Sequence, residues 1–493
     1  MDNPTTDPGA TVTQEAAAER CPVDHGTAAQ QAQPGQRAQP AAIPATALPG
    51  PRMHPVAQIL TYWFRQSKFV EQCHERYGSR FALRIRIPPK PLYVLSDPED
   101  IKQMFLAPAD VLHTGTGSAT IEKFLGQTSL ACQDEDAHKT RRKILMPTMH
   151  GKALDRITAS INTMAKQYVA EWPHDISMPL HPHIHRFTLQ VIREVVFGAK
   201  VPSCWDELHD RLHDLMSFND HMSSAMILHR MPPRAVTLLA RIPRLGLGRF
   251  LEQRERIDAL FAEVVEERRN SGFVGDDVLS VLLGITHDDG SPLTAVELRD
   301  EMMLVFFAGT ETTAVALSWA FEYLSLNRPV LDRLVAEIDA GVSDEYLNAT
   351  VNEVLRMRPS IPQIIPRTVM KPIEIGGVRY EPGSLLWASA HLLHRNPELY
   401  PDPYAFRPER FFDTKPSLYT WIPFGGGRIR CLGALIGLIE MNAVLREVLA
   451  RYELVRDDPK PERPRSRSVG VRPANGPRLQ LRTRSPEPSL AGD

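Results

Sequence analysis

The residues best equipped for chemistry sit in one short segment, Phe424-Gly425-Gly426-Gly427-Arg428-Ile429-Arg430-Cys431-Leu432-Gly433. A thiolate is a soft metal ligand and a nucleophile, and it needs neighbours that stabilise its charge. The pattern predicts that a helix restarts at Cys431 and runs to about Tyr452. Unpaired N–H groups at such a helix start favour a thiolate and can hydrogen-bond its sulfur, which also tunes a bound metal. The glycine run lets the backbone approach a flat surface. Gly433, Ala434 and Gly437 keep one face of the helix low and leave room for a macrocycle. Taken alone, the same residues fit a glycine turn beside an inert buried thiol equally well.

A second polar constellation, Ala308-Gly309-Thr310-Glu311-Thr312, interrupts the apolar run from Met302 to Leu326. Burying a carboxylate and hydroxyls is costly unless they have partners or a task. One reading is structural: a threonine hydroxyl bonds the carbonyl four residues back, and Gly309 eases the resulting bend. The other is a polar groove able to hold water and oxygen above a metal. The run is long enough to span a bilayer, but this polar centre would be costly in lipid. A helix buried inside a large protein, with no membrane span, is therefore expected.

Other pairs share helical faces. Glu353 and Arg356 lie three apart, a spacing that usually makes a weak surface ion pair. His138 and Arg142 lie four apart, with Arg141 and Lys143 turned elsewhere. Arg410 sits in Phe406-Arg407-Pro408-Glu409-Arg410-Phe411, and Arg367 follows the proline-rich stretch Pro359 to Pro366. The five cysteines are scattered and odd in number, which argues against a disulfide framework or a zinc site and for a reducing cytoplasm. No charged region followed by an apolar run marks a signal peptide at the N-terminus. The 57 Lys and Arg nearly balance 59 Asp and Glu, so nothing in the global charge suggests nucleic acid as a partner.

The elements that must position these residues follow from texture. Residues 1–47 lack aromatic side chains and are rich in Ala, Gln and Pro, as expected of a disordered lead. His54 to Tyr77 reads as an amphipathic helix, and Arg80 to Leu95 as a hairpin broken at Pro88-Pro89. Helical patterning dominates from about Pro98 to Arg356. Ile373 to Ile375 and Val378 to Tyr380 read as strands around a glycine turn, Pro397 to Pro423 as an irregular packed segment, and Ser468 to Leu481 as one strand pair. The expected fold class is mainly α with small β-sheets, one domain over 48–484, and a flexible tail at 485–493.

The cysteine segment resembles the haem-binding loop of the cytochrome P-450 superfamily, Phe-Gly-x-Gly-x-basic-x-Cys-x-Gly. The chain departs from it at Ile429, where the family carries a basic residue that binds a haem propionate. Either Arg428 or Arg430 is a candidate replacement. The order and spacing of the other motifs, across roughly Leu48 to Arg484, agree with the resemblance. It implies haem b between the long central helix and the cysteine loop, with Cys431 as axial ligand and Phe424, Gly425 and Gly433 shaping the cradle. It implies that His138, Arg142 and Arg367 reach the propionates. Thr312 would hydrogen-bond dioxygen at the iron, with Glu311 as proton relay. Glu353, Arg356 and Arg410 would form a structural ionic cluster. The implied activity is monooxygenation of an apolar small molecule, consuming O2 and electrons from NAD(P)H. A separate ferredoxin or flavodoxin-type donor would dock on a basic proximal surface. Substrate contacts would fall in Leu112 to Ser129, Ser217 to Arg234 and Val305 to Thr313. A haem-thiolate sensor, or an oxygen-independent or peroxide-driven enzyme, would share Cys431 but have no use for the Glu311–Thr312 pair.

Overall fold

The computed structural model describes residues 42–85, 91–118, 122–218, 233–243, 246–412, 417–467 and 470–484. The expected lead up to residue 41, the Pro88-Pro89 break, the segment 219–232 and the tail 485–493 lie outside the described residues. Helices dominate, and the small sheets lie beside them.

The central helix runs from Ala295 to Leu326, starting earlier than the apolar run suggests. Its first turns are charged, and each charge has a reason to be there. Thr294 and Glu297 form a capping box, Thr294 Oγ1 accepting from the Glu297 amide and the Glu297 carboxylate accepting from the Thr294 amide. Asp300 accepts from the Thr128 amide at 3.0 Å and its hydroxyl at 2.7 Å, and Glu301 accepts from the Leu130 amide at 3.2 Å. Fully buried carboxylates thus anchor the loop around residue 128 to the helix. Among the described residues this is the one helix long and apolar enough to cross a membrane, and 61% of its most apolar stretch is buried.

The central helix packs most extensively against the helix His181–Phe197. Gly309 permits the close approach: a methyl group there would meet Ile192 at 2.3 Å. Gly309 thus serves helix packing, a role separate from easing a bend. The cysteine-side helix, Ala434–Arg451, lies against Gly151–Ala170 and against the central helix, and all four share one large apolar core.

The largest sheet has five strands in the order Arg80–Leu83, Leu92–Leu95, Leu385–Ala388, Arg367–Val369 and Leu112–His113. Ile43–Pro44 pairs in parallel with Val378–Arg379, so ordered chain begins before residue 48. Ile373–Ile375 and Val378–Tyr380 pair around Gly376 and Gly377, both at positive φ, as the glycine turn requires. The single strand pair expected near the C-terminus is instead split between two sheets. Pro464–Arg467 pairs with Gly470–Pro473, while Arg478–Thr483 pairs with Tyr452–Arg456 and Ser177–Pro179. Asn475-Gly476-Pro477 separates them, with Gly476 at positive φ. Trp319 donates to the Val471 carbonyl at 2.8 Å and so fastens the Gly470–Pro473 strand to the central helix.

Candidate active site

A cavity of about 350 Å³ lies at the junction of the central helix, the Glu135–Leu145 helix and the cysteine loop. Its wall is mostly apolar, including Leu125, Ile192, Val195, Leu304, Val305 and Phe307. Set into that wall are Cys431, Thr312, His138, Arg142, Arg430, Phe424, Gly425 and Gly433. Residues separated by nearly 300 positions in sequence therefore meet at one surface. Arg367, Arg428 and Glu311 stand behind the wall.

Cys431 precedes the helix instead of opening it. The first helical residue is Ala434, with Gly433 as its N-cap. The loop is closed by the Cys431 amide donating to the Phe424 carbonyl at 3.0 Å. Burial pushes the Cys431 thiol up, while the Gly433 N–H bonded to its sulfur and the nearby Arg142 and Arg430 pull it back. The helix start thus reaches the sulfur through one defined amide. The glycines divide the work in a way the sequence did not announce. Gly426 and Gly427 allow close packing against Phe105, where added methyl groups would meet the ring at 2.2 Å and the backbone oxygen at 2.4 Å. Gly425 and Gly433, by contrast, line the cavity, and nothing lies within 4 Å of a methyl group placed on Gly433.

Thr312 Oγ1 donates to the Ala308 carbonyl at 2.6 Å, so the structural back-bond is present. That bond uses the hydroxyl proton and leaves the oxygen lone pairs facing the cavity. The Thr312 carbonyl accepts from Ser360 Oγ at 2.7 Å. One residue earlier on the helix is a turn of about 100°, which aims Glu311 away from the cavity. Its carboxylate lies 3.4 Å from Arg472 and 3.7 Å from both His181 and His185. Sequence reasoning missed these partners, although the closely spaced histidines of His181-Pro182-His183-Ile184-His185 were a visible signal.

The cations form a group of their own. Arg367 is fully buried, donates to the Met104 and Gly426 carbonyls, and leaves its Nε without a partner. Burial and the neighbouring Arg428 push its guanidinium down to about 9. Arg428 is held by the Ala107 and Leu112 carbonyls. Among the described residues Arg142, Arg367, Arg428 and Arg430 make no ion pair with a carboxylate. Arg141, expected to face away as a surface cation, is instead buried against Glu297 at 3.3 Å and Glu301 at 3.5 Å. Burial explains this: Glu301, itself pushed up to about 7, needs a counter-charge.

Two further carboxylates matter. Glu440, on the cysteine-side helix, reaches the cavity wall while 1% exposed; burial holds its carboxyl well above the usual range, and Oε2 has no partner. Glu353 receives two bonds from Arg356, at 2.6 and 2.9 Å, one from Arg410 at 3.2 Å and one from the Arg407 amide at 2.8 Å. Arg356 also donates to the carbonyls of His394 and Pro403. His394 caps the short helix Ala390–Leu393 at its C-terminus. It also accepts from the Ile422 amide at 2.9 Å, tying the ionic cluster to the chain leading into the cysteine loop.

Among the described residues no group of three or more His, Cys, Asp or Glu side chains could hold a metal. A metal held at Cys431 would have one protein bond, and the rest of its coordination would have to arrive with it, as in a macrocycle. Cations without carboxylates, one of them fully buried, suit a group with anionic arms.

A family model described as Cytochrome P450 matches residues 44–480. The chain is 33% identical over 444 residues to the putative cytochrome P450 135B1 of Mycobacterium tuberculosis, covering 88% of this chain and 91% of that one. It is also 33% identical to the putative cytochrome P450 137 of the same organism, covering 83% and 84%. The structure of retinoic acid bound cyanobacterial CYP120A1 superposes with a TM-score of 0.74 at 22% identity, covering 86% of this chain and 96% of that one. The chain is therefore a member of the cytochrome P450 family, haem-thiolate monooxygenases.

Proposed function

We propose that this monooxygenase inserts an oxygen atom into an apolar small molecule held against Thr312, with Cys431 as the axial thiolate. The observation that carries the reading is a single cavity wall bearing Cys431, Thr312 and unpaired cations within an otherwise apolar lining. The donor set fits haem b. Cys431 offers one thiolate, Arg142, Arg430 and His138 offer donors to carboxylate arms, and Arg367 stands behind with an orphaned Nε. Haem, when bound, supplies the redox chemistry that activates O2 with electrons delivered from NAD(P)H. The protein's own task is to orient and to manage protons. Gly433 N–H steadies the sulfur, Thr312 Oγ1 offers its lone pairs to a proton, and Leu304, Val305 and Phe307 exclude water from the substrate. Glu311 is the proton donor on the far side of the Thr312 turn. Of the expected substrate segments, Thr114, Leu125 and the stretch from Val305 to Thr313 contribute to the wall. Lys139 and Lys143 are exposed on the Glu135–Leu145 helix and would greet an acidic ferredoxin or flavodoxin-type donor in the cytoplasm. Arg141 drops out of that surface because it is buried.

The reading is tested by titrating apolar compounds into the haem-loaded protein and recording the low-to-high-spin shift. A ligand that produces it should be oxidised with O2 and electrons. Spin-shifting ligands that give no oxygenated product would sink the proposal. Thr312→Ala is expected to divert electrons, with product per NAD(P)H falling about tenfold and hydrogen peroxide rising to match. Unchanged coupling would remove Thr312 from the proton path.

The gap at Ile429 has a specific expected resolution. Arg430 lines the cavity and Arg428 is held by backbone carbonyls, so Arg430 is the replacement for the missing basic residue. Arg430→Ala should speed haem transfer to apomyoglobin by about 10–100-fold, the cost typical of an outer-shell partner. Ile429→Lys in the native background should leave that rate unchanged. The reverse pair of outcomes would mean that the carboxylate arm has no local partner.

A further inference from the structure

Glu311 is not solitary on its side of the central helix. Its Oε2 lies 3.7 Å from His185 Nε2 and 3.7 Å from His181 Nε2, and its Oε1 lies 3.4 Å from Arg472 Nη1. His181 is fixed from both ends, with Nδ1 3.1 Å from Ser318 Oγ and Nε2 3.2 Å from Arg472. His185 is 5% exposed, and its ring meets the edge of His213 with centroids 5.0 Å apart. His213 is exposed on the neighbouring helix Trp205–Phe218. The sequence of groups therefore runs from solvent through His213 and His185 to the carboxylate beside Thr312.

We propose that His213 and His185 form the entry path by which protons reach Glu311, with His181 and Arg472 as positioning residues that hold the carboxylate on this side of the helix. The proposal rests on the reading of Glu311 and Thr312 as the proton-delivering pair. Burial, reinforced by His181, His213, His209 and Arg472, pushes His185 down to about 3. Its ring is therefore neutral under working conditions, with one nitrogen as donor and the other as acceptor. Such a ring moves a proton without storing charge: Nε2 releases its proton toward Glu311 Oε2 as Nδ1 takes one that enters from the His213 side. The 3.7 Å gap is closed by a small side-chain rotation or by one bridging water. The protonated carboxyl, its attraction to Arg472 now weakened, turns toward Thr312 Oγ1 and gives its proton to that oxygen as the hydroxyl releases its own into the cavity. The regenerated carboxylate swings back to Arg472, and a second proton enters from His213. Each cycle moves one proton inward; it leaves His185 in the opposite tautomer, which a ring rotation resets, and His213 regains its proton from solvent.

The test uses the haem-loaded full chain with an external electron donor and a spin-shifting substrate. His185→Gln should lower coupled product by about tenfold and raise hydrogen peroxide. It should also enlarge the solvent deuterium isotope effect on product formation while leaving the substrate-induced spin shift intact. His213→Gln, on an exposed face, should give the same changes at smaller amplitude, and it carries the test alone if His185→Gln does not fold. A readout independent of turnover is the ring resonance of His185 in histidine-labelled protein. It should remain that of a neutral imidazole down to about pH 5 and should shift in Glu311→Gln. A charged His185 at neutral pH, or coupling and isotope effect unchanged in both histidine variants, overturns the proposal. Glu311→Gln and Thr312→Ala are run beside them. If those two uncouple and the histidine variants do not, only the entry path fails. If those two leave coupling unchanged, the underlying pair fails and the entry path with it.

Discussion

Cys431→Ala is expected to abolish monooxygenation and to remove the red-shifted Soret band that the reduced carbon-monoxide complex owes to thiolate ligation. The argument starts from the ligand count. Cys431 is the one thiol in the cavity wall, and among the described residues no cluster of His, Cys, Asp or Glu stands ready to take over a metal. The other cysteines described are Cys73, Cys132 and Cys204, and burial pushes each of their thiols up. Only Cys431 has a backbone N–H at its sulfur and two guanidinium groups nearby to offset burial. Losing an outer-shell partner of a metal typically costs 10–100-fold, so a loss well beyond about 100-fold separates the ligand from a supporting residue. The protein should still fold, because the loop is closed by backbone: the residue 431 amide to the Phe424 carbonyl and the Gly425 amide to the Ile422 carbonyl. Circular dichroism of the variant would therefore match the parent while its colour changes or is lost. Retention of the thiolate band in the alanine variant would transfer the ligand to another residue and break the assignment of the cavity.

Much of this was readable from residue types, and the failures have physical causes. The glycine-rich loop, the Glu353–Arg356 spacing and the acid–threonine pair are local patterns, and local patterns survive in one dimension. The apolar run from Met302 covers only part of the central helix, because Glu297, Asp300 and Glu301 in its first turns look like solvent-facing charges. Asp300 and Glu301 are buried and Glu297 half-buried because partners at Thr128, Leu130 and Arg141, about 160 to 170 residues away, satisfy them. Arg141 was misread as a surface cation for the same reason, seen from the other side. Gly426 and Gly427 were assigned to the cofactor side, whereas they admit Phe105, a contact no spacing rule contains. Thr312 and Glu311 are about 100° apart around the helix, but which of the two meets a cavity depends on the whole packing. Arg472 and His185, which decide where Glu311 points, come from a C-terminal strand and from a helix more than a hundred residues upstream.

The ionic cluster shows how such long-range pairing becomes stability. Glu353 and Arg356 are both fully buried. A surface pair at the same kind of helical spacing, such as Arg328 with Asp332, is largely exposed and adds little. At Glu353 the situation inverts. One carboxylate accepts from Arg356 twice, from Arg410 and from the Arg407 amide. Glu353→Ala would leave two neighbouring guanidinium groups without a counter-charge, one of them fully enclosed. Breaking a buried pair in this way costs about 3–5 kcal/mol, a large share of the roughly 5–15 kcal/mol that holds a folded domain together. Glu353→Gln keeps an acceptor for some of these bonds and should lose less. The unfolding midpoint in urea is the direct measurement, with haem retention as the second. Both should fall together, because Arg356 holds the His394 carbonyl and His394 in turn holds the Ile422 amide at the approach to the cysteine loop. A Glu353→Ala protein whose midpoint barely moves would show that Arg356 and Arg410 are satisfied by backbone carbonyls alone, through their bonds to Pro403, Pro401 and Asp402. A protein that keeps its midpoint yet loses haem would instead make the cluster a device for loop geometry alone.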